Sequence, residues 1–275
     1  MWVKIEPNQH ELVLLHKWQK YISKLSKIPG IEMIAIVNSL SMYATHEDSD
    51  IDLFIVTRPG MIWFVRFFAT LTLSMHWVWR RDRDIAGNLC LSFFITTDAM
   101  DLSDIAIEND IYLYYWIYYM QPIIDKNETY EMFLSANSWV DVDEGRKKEN
   151  QIYLIPNCFK AVNSVGFGGR NCLSQIESNT EKAKWASAPS QSVGSTLGVF
   201  SPPNAFDTFG TKSMENSIWK ESLYKKLNNL IRHFLLPRTL RSYERIWKPE
   251  WVIISDQMLK FHDRDRRNEI RDSLI

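Results

Sequence analysis

The sequence predicts an α+β fold that combines β-strands with helices. Short runs of apolar, β-branched residues alternate with longer segments whose apolar residues recur every three or four positions. The chain has 275 residues, of which 45% are hydrophobic and 13% aromatic. A chain of this size and composition can bury a substantial core. The alternation of strand and helix patterns is typical of a domain in which strands and helices pack together.

The first hundred residues contain the clearest elements. Residues 9–27 have a helical apolar stripe that a Pro-Gly pair ends, and a short apolar strand follows at Ile31–Val37. A turn or short helix is expected over residues 39–46, before a second strand at Ile51–Thr57. A third strand is predicted at Leu89–Thr96.

Between the second and third strands, residues 61–79 are almost entirely apolar and nearly long enough to span a bilayer. Arg66 lies near the middle of this segment, where a charge costs roughly 2.5–3.5 kcal/mol on insertion scales. We therefore predict a buried helix and keep a membrane helix, anchored by the basic residues 80–83, as the disfavoured alternative.

The second half of the chain changes character. An aromatic helix is predicted over residues 104–120, and residues 156–214 are rich in Gly, Ser, Asn and Pro. This composition is typical of an irregular or partly disordered insertion. A helix over Ile218–Leu236, ended by Pro237, and a brief strand at Trp251–Ile254 follow, and the tail is expected to end in a helix. The predicted organisation is thus a domain at 1–155, an insertion at 156–214 and a helical C-terminal segment at 215–275 that packs on the first domain.

Charge and cysteine content restrict the classes of partner and compartment. The chain has 32 Lys and Arg against 33 Asp and Glu, so a long nucleic acid is not favoured as a substrate. The three cysteines are widely spaced and show neither a disulfide framework nor a zinc-finger spacing. The N-terminal residues lack the apolar stretch of a signal peptide. These features favour a reducing, cytoplasmic location.

Two acids at the start of the second strand are the main functional signal. Residues i and i+2 of a strand point to the same face, so Asp50 and Asp52 are expected to lie side by side. Two ionised carboxylates among apolar residues repel each other unless a cation lies between them. Hard divalent cations prefer oxygen ligands of this kind. We therefore predict that Asp50 and Asp52 bind Mg²⁺ or Mn²⁺.

Residues 31–96 resemble the DNA polymerase β-type nucleotidyltransferase superfamily in the order of their elements. This order is a strand, a Ser-containing turn, an Asp-x-Asp strand, a helix and a third strand. That family has a Gly-Ser or Gly-Gly turn followed, after a similar spacer, by an Asp-x-Asp or Asp-x-Glu strand. Ser39 matches the second turn residue, and Asp50 and Asp52 match the metal carboxylates. The resemblance implies a small mixed sheet, with Asp50 and Asp52 as catalytic metal ligands. It also implies transfer of a nucleotidyl group from a nucleoside triphosphate to an acceptor.

The sequence departs from the family pattern at two places. Asn38 stands where the family usually has Gly, although Asn tolerates the left-handed backbone better than most residues. The family also has a third acid on the third strand, which often serves as the general base, and Leu89–Phe94 contains none. Asp98 and Asp101 follow that strand. The departure leaves three outcomes open: an enzyme with a substitute for the acid, a nucleotide binder without turnover, or a relic scaffold.

The candidate nucleotide-binding residues are Asn38, Ser39 and Lys260. The turn at Asn38 and Ser39 is expected to offer a hydroxyl and a backbone N–H to the triphosphate. Lys260 belongs to a tail of mixed charge that is expected to be a solvated, ion-paired helix unless Lys260 or an Arg folds back onto phosphate. The sequence around Lys260 and His262 resembles the ending of uncharacterised bacterial nucleotidyltransferase-like proteins. His262 is a weak candidate for a catalytic base.

The leading functional hypothesis is a Mg²⁺-dependent nucleotidyltransferase with an unknown acceptor. The alternative from another class is a catalytically silent nucleotide-binding or protein-interaction module, which the missing third acid favours. Membrane association through residues 61–79 is compatible with either hypothesis but disfavoured by Arg66.

Overall fold

The computed structural model of the protein describes residues 7–76, 87–151, 210–243, 252–261 and 266–273. The chain divides into two compact units, residues 1–155 with 221–275 and residues 156–220. The sheet and the candidate site belong to the first unit. Almost all of the predicted insertion, the basic flank at 80–83 and His262 lie outside the described residues.

A six-stranded mixed sheet organises the first unit. Its strands are β1 (Ile31–Val37), β2 (Ile51–Thr57), β3 (Leu89–Thr96), β4 (Gln121–Asp125), β5 (Ile253–Ile254) and β6 (Met258–Lys260). They lie in the order β4-β1-β2-β3-β6-β5. The β2–β3 pair is parallel, whereas β1–β2, β1–β4, β3–β6 and β5–β6 are antiparallel. The first three strands confirm the predicted ones residue for residue.

The helices pack on both faces of this sheet. They are α1 (Gln9–Leu25), α2 (Asn38–Ser41), α3 (Ile62–Met75), α4 (Ile111–Tyr118), α5 (Thr129–Ala136), α6 (Glu144–Asn150), α7 (Gly210–Tyr243) and α8 (Arg267–Asp272). One core lies between the sheet and α1, α3 and part of α7, and we call this side the α1/α3 face. A second core lies between the sheet and α4 and α5, on the α4/α5 face.

The two cores explain why the central strands are apolar throughout. Along β1, Ile34 and Ile36 pack on the α1/α3 face, whereas Met33 and Ala35 pack on the α4/α5 face. Every residue of β1, β2 and β3 is buried. Each large apolar side chain removed from water in this way contributes about 1.5–3 kcal/mol. The mixed sheet covered by helices agrees with the predicted α+β class.

The apolar segment at 61–79 contributes α3, whose residues Trp63 and Val65 are buried against the sheet. Among the described residues, no helix combines the length and the apolar character that a bilayer crossing needs. Arg66 donates to the carbonyl of Leu91 at 3.3 Å, and its guanidinium lies 3.7 Å from the centre of the Phe261 ring. Burial lowers the pKa of Arg66 to about 10, against the opposing effects of Tyr243 and Cys90.

The predicted bounds of two helices are wrong. The aromatic helix begins at Ile111 instead of residue 104, because the Asp110 carboxylate accepts the backbone N–H of Leu113 and caps α4 there. The helix expected over Ile218–Leu236 spans Gly210–Tyr243, so it continues past Pro237 and also includes the last residues of the predicted insertion at 156–214. Proline removes one backbone donor from a helix, but Leu236 and Tyr243 pack on the core at either side of it and hold the helix together.

The C-terminal part contributes strands as well as helices. The brief strand predicted at Trp251–Ile254 is present as β5, over Ile253–Ile254. β6, which the sequence did not predict, pairs with β3 and places Lys260 opposite Phe93. The tail therefore belongs to the sheet, and it ends in the short helix α8.

Candidate functional site

The strand pairing brings three chain segments together at one end of the sheet. β1 ends there, and β2 and β3 begin there, because β1 runs antiparallel to β2 while β3 runs parallel to it. In the register of the sheet, Asp52 pairs with Val37 on one side and with Cys90 on the other. Neighbouring strands are about 4.8 Å apart, so Asp52 and Cys90 are adjacent side chains.

Asp50, Asp52 and Cys90 form a cluster of potential metal ligands. One carboxylate oxygen of each acid and the sulfur of Cys90 all lie within 4.8 Å of one another. Asp52 is 8% exposed and Cys90 7%, whereas Asp50 is half-buried. The two acids that the sequence singled out are therefore side by side, and a third group that it did not single out joins them.

Asn38 links this cluster to α4 through two hydrogen bonds. Its side-chain N–H donates to the Asp52 carboxylate at 2.7 Å, and its side-chain carbonyl accepts the Tyr112 hydroxyl at 2.6 Å. The backbone of Asn38 is left-handed, with a φ of 60°, which turns the chain sharply from β1 into α2. The Tyr112–Asn38–Asp52 chain fixes the orientation of the carboxylate, as groups behind a metal ligand commonly do.

Ser39, the other turn residue, is half-buried and follows Asn38 in α2. Its carbonyl accepts the backbone N–H of Ala44 at 2.8 Å, which closes the turn. The contact of Ser39 with a triphosphate remains a prediction.

A cavity of about 270 Å³ opens beside Asn38 on the α4/α5 face. Its lining combines aromatic, apolar and cationic side chains: Asn38, Phe93, Ile105, Tyr112, Leu113, Trp116, Lys260, Arg266, Arg267 and Ile270. Lys260 is 8% exposed and reaches this cavity from β6. Two of the candidate nucleotide-binding residues, Asn38 and Lys260, thus line the same cavity although 222 positions separate them in the sequence.

Arg267 attaches the C-terminal helix to one wall of the cavity. Its guanidinium donates to the Asp110 carboxylate at 2.8 Å and to the Ile105 carbonyl at 2.7 Å. Both members of this ion pair are largely buried. Asp110 also caps α4, so the helix that carries Tyr112 and the helix that carries Arg267 meet at one carboxylate. The mixed-charge tail was expected to be solvated, but this part of it packs against the cavity.

Asp98 and Asp101, the acids considered as substitutes for the third carboxylate, follow the opposite end of β3 from Cys90. Eight strand residues separate the two ends by roughly 25 Å. Asp98 is exposed and accepts the hydroxyl of Thr96. Hydrogen bonds from Ser103 lower the pKa of the Asp101 carboxyl. Neither acid reaches Asp50 and Asp52, and Cys90 lies beside the pair instead.

Cys90 and Tyr112 are the site residues that sequence reasoning missed. In the sequence, Cys90 is one of three widely spaced cysteines, and Tyr112 is one of many aromatic residues in the predicted helix over 104–120. A signal for Cys90 was present, because a parallel alignment of β2 and β3 by their first residues pairs Ile51 with Leu89 and Asp52 with Cys90. The sequence holds no comparable signal for the contact between Tyr112 and Asn38.

The donor set of the cluster fits a divalent cation. The carboxylate oxygens of Asp50 and Asp52 suit Mg²⁺ or Mn²⁺, whereas the thiol of Cys90 is not a ligand that Mg²⁺ prefers. Comparison with known proteins gives no independent guide to function: no family model, curated protein or solved structure matches the chain.

Proposed function

We propose that the protein binds a nucleoside triphosphate together with a divalent cation at Asp50 and Asp52, and transfers its nucleotidyl group to an acceptor. The observation that carries this proposal is the convergence of Asp50, Asp52 and Asn38 beside a cavity that Lys260 lines. A buried and a half-buried acid next to a cavity with cationic side chains suit a metal-bound polyphosphate better than a neutral metabolite.

The resemblance over residues 31–96 supports the same activity. Its turn residues, Asn38 and Ser39, lie at the end of β1, next to the start of the Asp-x-Asp strand. This neighbourhood agrees with a turn that receives phosphate beside carboxylates that hold a cation.

Each residue has a distinct role in the proposed reaction. Asp50 and Asp52 hold the cation, which supplies positive charge to the triphosphate when it is bound. Asn38 keeps the Asp52 carboxylate in place, and Tyr112 keeps Asn38 in place. Lys260 provides a cationic side chain at the cavity, where it stabilises phosphate oxygens. Catalysis would then consist of positioning and charge neutralisation, with little covalent work for the protein.

A nucleotide binder without turnover is the second candidate, and one observation favours it. Cys90 occupies the position beside Asp52 where a third carboxylate is expected from the resemblance, and Asp98 and Asp101 are too far away to replace it. Such a protein would bind the triphosphate and its cation without activating an acceptor.

Incubation of the purified protein with each labelled nucleoside triphosphate and Mg²⁺ or Mn²⁺ separates the two candidates. Nucleotidyl transfer predicts covalent label on the protein itself or on a component of cell extract, together with pyrophosphate release. The silent binder predicts no label but a higher melting temperature in the presence of Mg²⁺ and nucleotide. If every nucleotide gives no covalent label and no thermal shift, both candidates are contradicted.

Asp52→Asn and Asp98→Asn form a matched pair for this assay. Both make the same chemical change, Asp52 within β2 and Asp98 just after the end of β3, but only Asp52 belongs to the cluster. We expect Asp52→Asn to reduce transfer or nucleotide binding at least about 100-fold, because it removes a charged metal ligand. Asp98→Asn should retain wild-type values.

A further inference from the structure

We propose that Cys90 is the third ligand of the cation site and that this site selects a thiophilic divalent cation, such as Zn²⁺, over Mg²⁺. This inference deepens the proposed function by naming the class of metal. It rests on the proposed cation site at Asp50 and Asp52 but not on nucleotide binding or turnover.

The sheet register holds Cys90 in a ligand position. Asp52 and Cys90 are paired residues of adjacent parallel strands, and their ligand atoms and that of Asp50 lie within 4.8 Å of one another. A tetrahedral zinc site, with bonds of about 2.1 Å to oxygen and 2.3 Å to sulfur, places its ligand atoms roughly 3.6 Å apart. Side-chain rotations that move the ligand atoms by about 1 Å would bring them from within 4.8 Å of one another to this tetrahedral spacing.

The composition of the cluster discriminates between cations. Mg²⁺ requires near-ideal octahedral coordination by oxygen, so a sulfur at the third vertex weakens its binding. Zn²⁺ accepts carboxylate oxygen and thiolate sulfur in the same site. Three protein ligands with a remaining open position is the arrangement of catalytic zinc sites, and the open position would receive a phosphate or water oxygen.

The Tyr112–Asn38–Asp52 chain independently points to a ligand at this place. Asn38 donates to one oxygen of the Asp52 carboxylate at 2.7 Å, and the Tyr112 hydroxyl holds Asn38 in turn at 2.6 Å. Metal-binding carboxylates are commonly held in this way from behind.

Cobalt titration of the full-length protein tests the inference. After metal is removed with a chelator, Co²⁺ serves as the probe because a cobalt–thiolate bond gives an intense charge-transfer band in the near ultraviolet. We expect one equivalent of Co²⁺ to produce this band and Zn²⁺ to abolish it by displacement. Mg²⁺ at about 1,000-fold excess should leave it unchanged, in keeping with the weak affinity of Mg²⁺ for sulfur-containing sites.

Three variants assign the band to one cysteine. Cys90→Ser should remove the band, whereas the double variant Cys158→Ser with Cys172→Ser should keep it. Cys90→Asp replaces sulfur with a third carboxylate, so it should lack the band and bind Mg²⁺ at least about tenfold more tightly than the wild type does. If the Cys90 variants do not fold, zinc X-ray absorption of the wild type should still show one sulfur neighbour.

The possible results decide between the alternatives. A band that survives in Cys90→Ser, a zinc environment without sulfur, or Mg²⁺ that displaces Co²⁺ stoichiometrically would each overturn the inference. The cobalt band together with a nucleotide assay that fails with Zn²⁺ and Co²⁺ as well as with Mg²⁺ and Mn²⁺ would refute the proposed function alone. Nucleotide transfer supported by Mg²⁺ without any cobalt–thiolate band would refute the choice of metal alone.

Discussion

The two ends of the central sheet use the same hydrogen-bonding device for different purposes. At the site end, Asn38 has a φ of 60° and donates to the buried Asp52 carboxylate at 2.7 Å. At the opposite end, Asn127 has a φ of 54° and donates to the buried Glu32 carboxylate at 2.6 Å. In both places a left-handed asparagine satisfies an acid that the sheet removes from water.

The difference lies in the charges around each acid. Glu32 also forms an ion pair with Arg58, and the half-buried Lys126 joins α1 and β1 nearby through the Ser26 and Ile31 carbonyls. Asp52 instead lies beside a second acid and a thiol. A buried carboxylate with an Arg partner contributes to the fold, whereas a buried carboxylate beside other metal ligands contributes to cation binding. We therefore expect the charges around Asp52 and Glu32, more than their burial, to determine what each carboxylate does.

The largest effect is expected when one acid at each end is neutralised. Asp52→Asn should weaken cation binding at least about 100-fold and leave the free energy of unfolding without metal unchanged or slightly higher, because it relieves repulsion from Asp50. Glu32→Gln should lower the free energy of unfolding by about 1–3 kcal/mol, because it removes the charge of a buried carboxylate that pairs with the half-exposed Arg58. Urea unfolding and calorimetric cation titration of both variants measure these values. The comparison fails if Glu32→Gln weakens cation binding as much as Asp52→Asn does.

Replacing Asn38 or Asn127 by glycine is expected to have a smaller effect, and these two substitutions are more closely matched. Glycine accepts a positive φ without strain, so Asn38→Gly and Asn127→Gly remove the amide and keep the turn. Asn38→Gly should weaken cation binding by about 10- to 100-fold through the loss of orientation at Asp52. Asn127→Gly should lower stability by about 1–2 kcal/mol and leave cation binding unchanged. Equal effects of the two variants on cation affinity would show that the amide at Asn38 has no special role.

The smallest effect is expected at Tyr112, which bonds to Asn38 and not to Asp52 itself. Tyr112→Phe removes the hydroxyl that holds Asn38, and we expect cation affinity to fall by about three- to tenfold, as the loss of roughly 1 kcal/mol implies. Tyr114→Phe is the control, because it makes the same change on the same helix and Tyr114 does not line the cavity beside Asn38. The same titration measures both variants. Indistinguishable affinities would remove Tyr112 from the site.

The sequence predicted the parts of this protein that depend on local pattern. The strands Ile31–Val37, Ile51–Thr57 and Leu89–Thr96 were readable because both of their faces are buried and their apolar runs are continuous. The proximity of Asp50 and Asp52 followed from the two-residue period of a strand.

The remaining features depend on which strands become neighbours. Cys90 joins the acids only through the parallel pairing of β2 and β3, and Lys260 reaches the cavity only because β6 adds to β3. β4 was missed because Gln121-Pro122 opens it, and proline argues against a strand interior. The end of α7 was misplaced because packing at Leu236 and Tyr243 overrides the local cost of Pro237.

Paramagnetic broadening by bound Mn²⁺ reveals which end of the sheet holds the cation. Mn²⁺ broadens nuclear magnetic resonance signals steeply with proximity, and isoleucine methyl groups mark both ends of the sheet. The account predicts that Mn²⁺ first removes the signals of Ile51 and Ile36, near the acid cluster, and spares those of Ile28 and Ile95 at the opposite end. It also predicts that Asp52→Asn abolishes this pattern. Early loss of the Ile28 and Ile95 signals, or an unchanged pattern in Asp52→Asn, would contradict it.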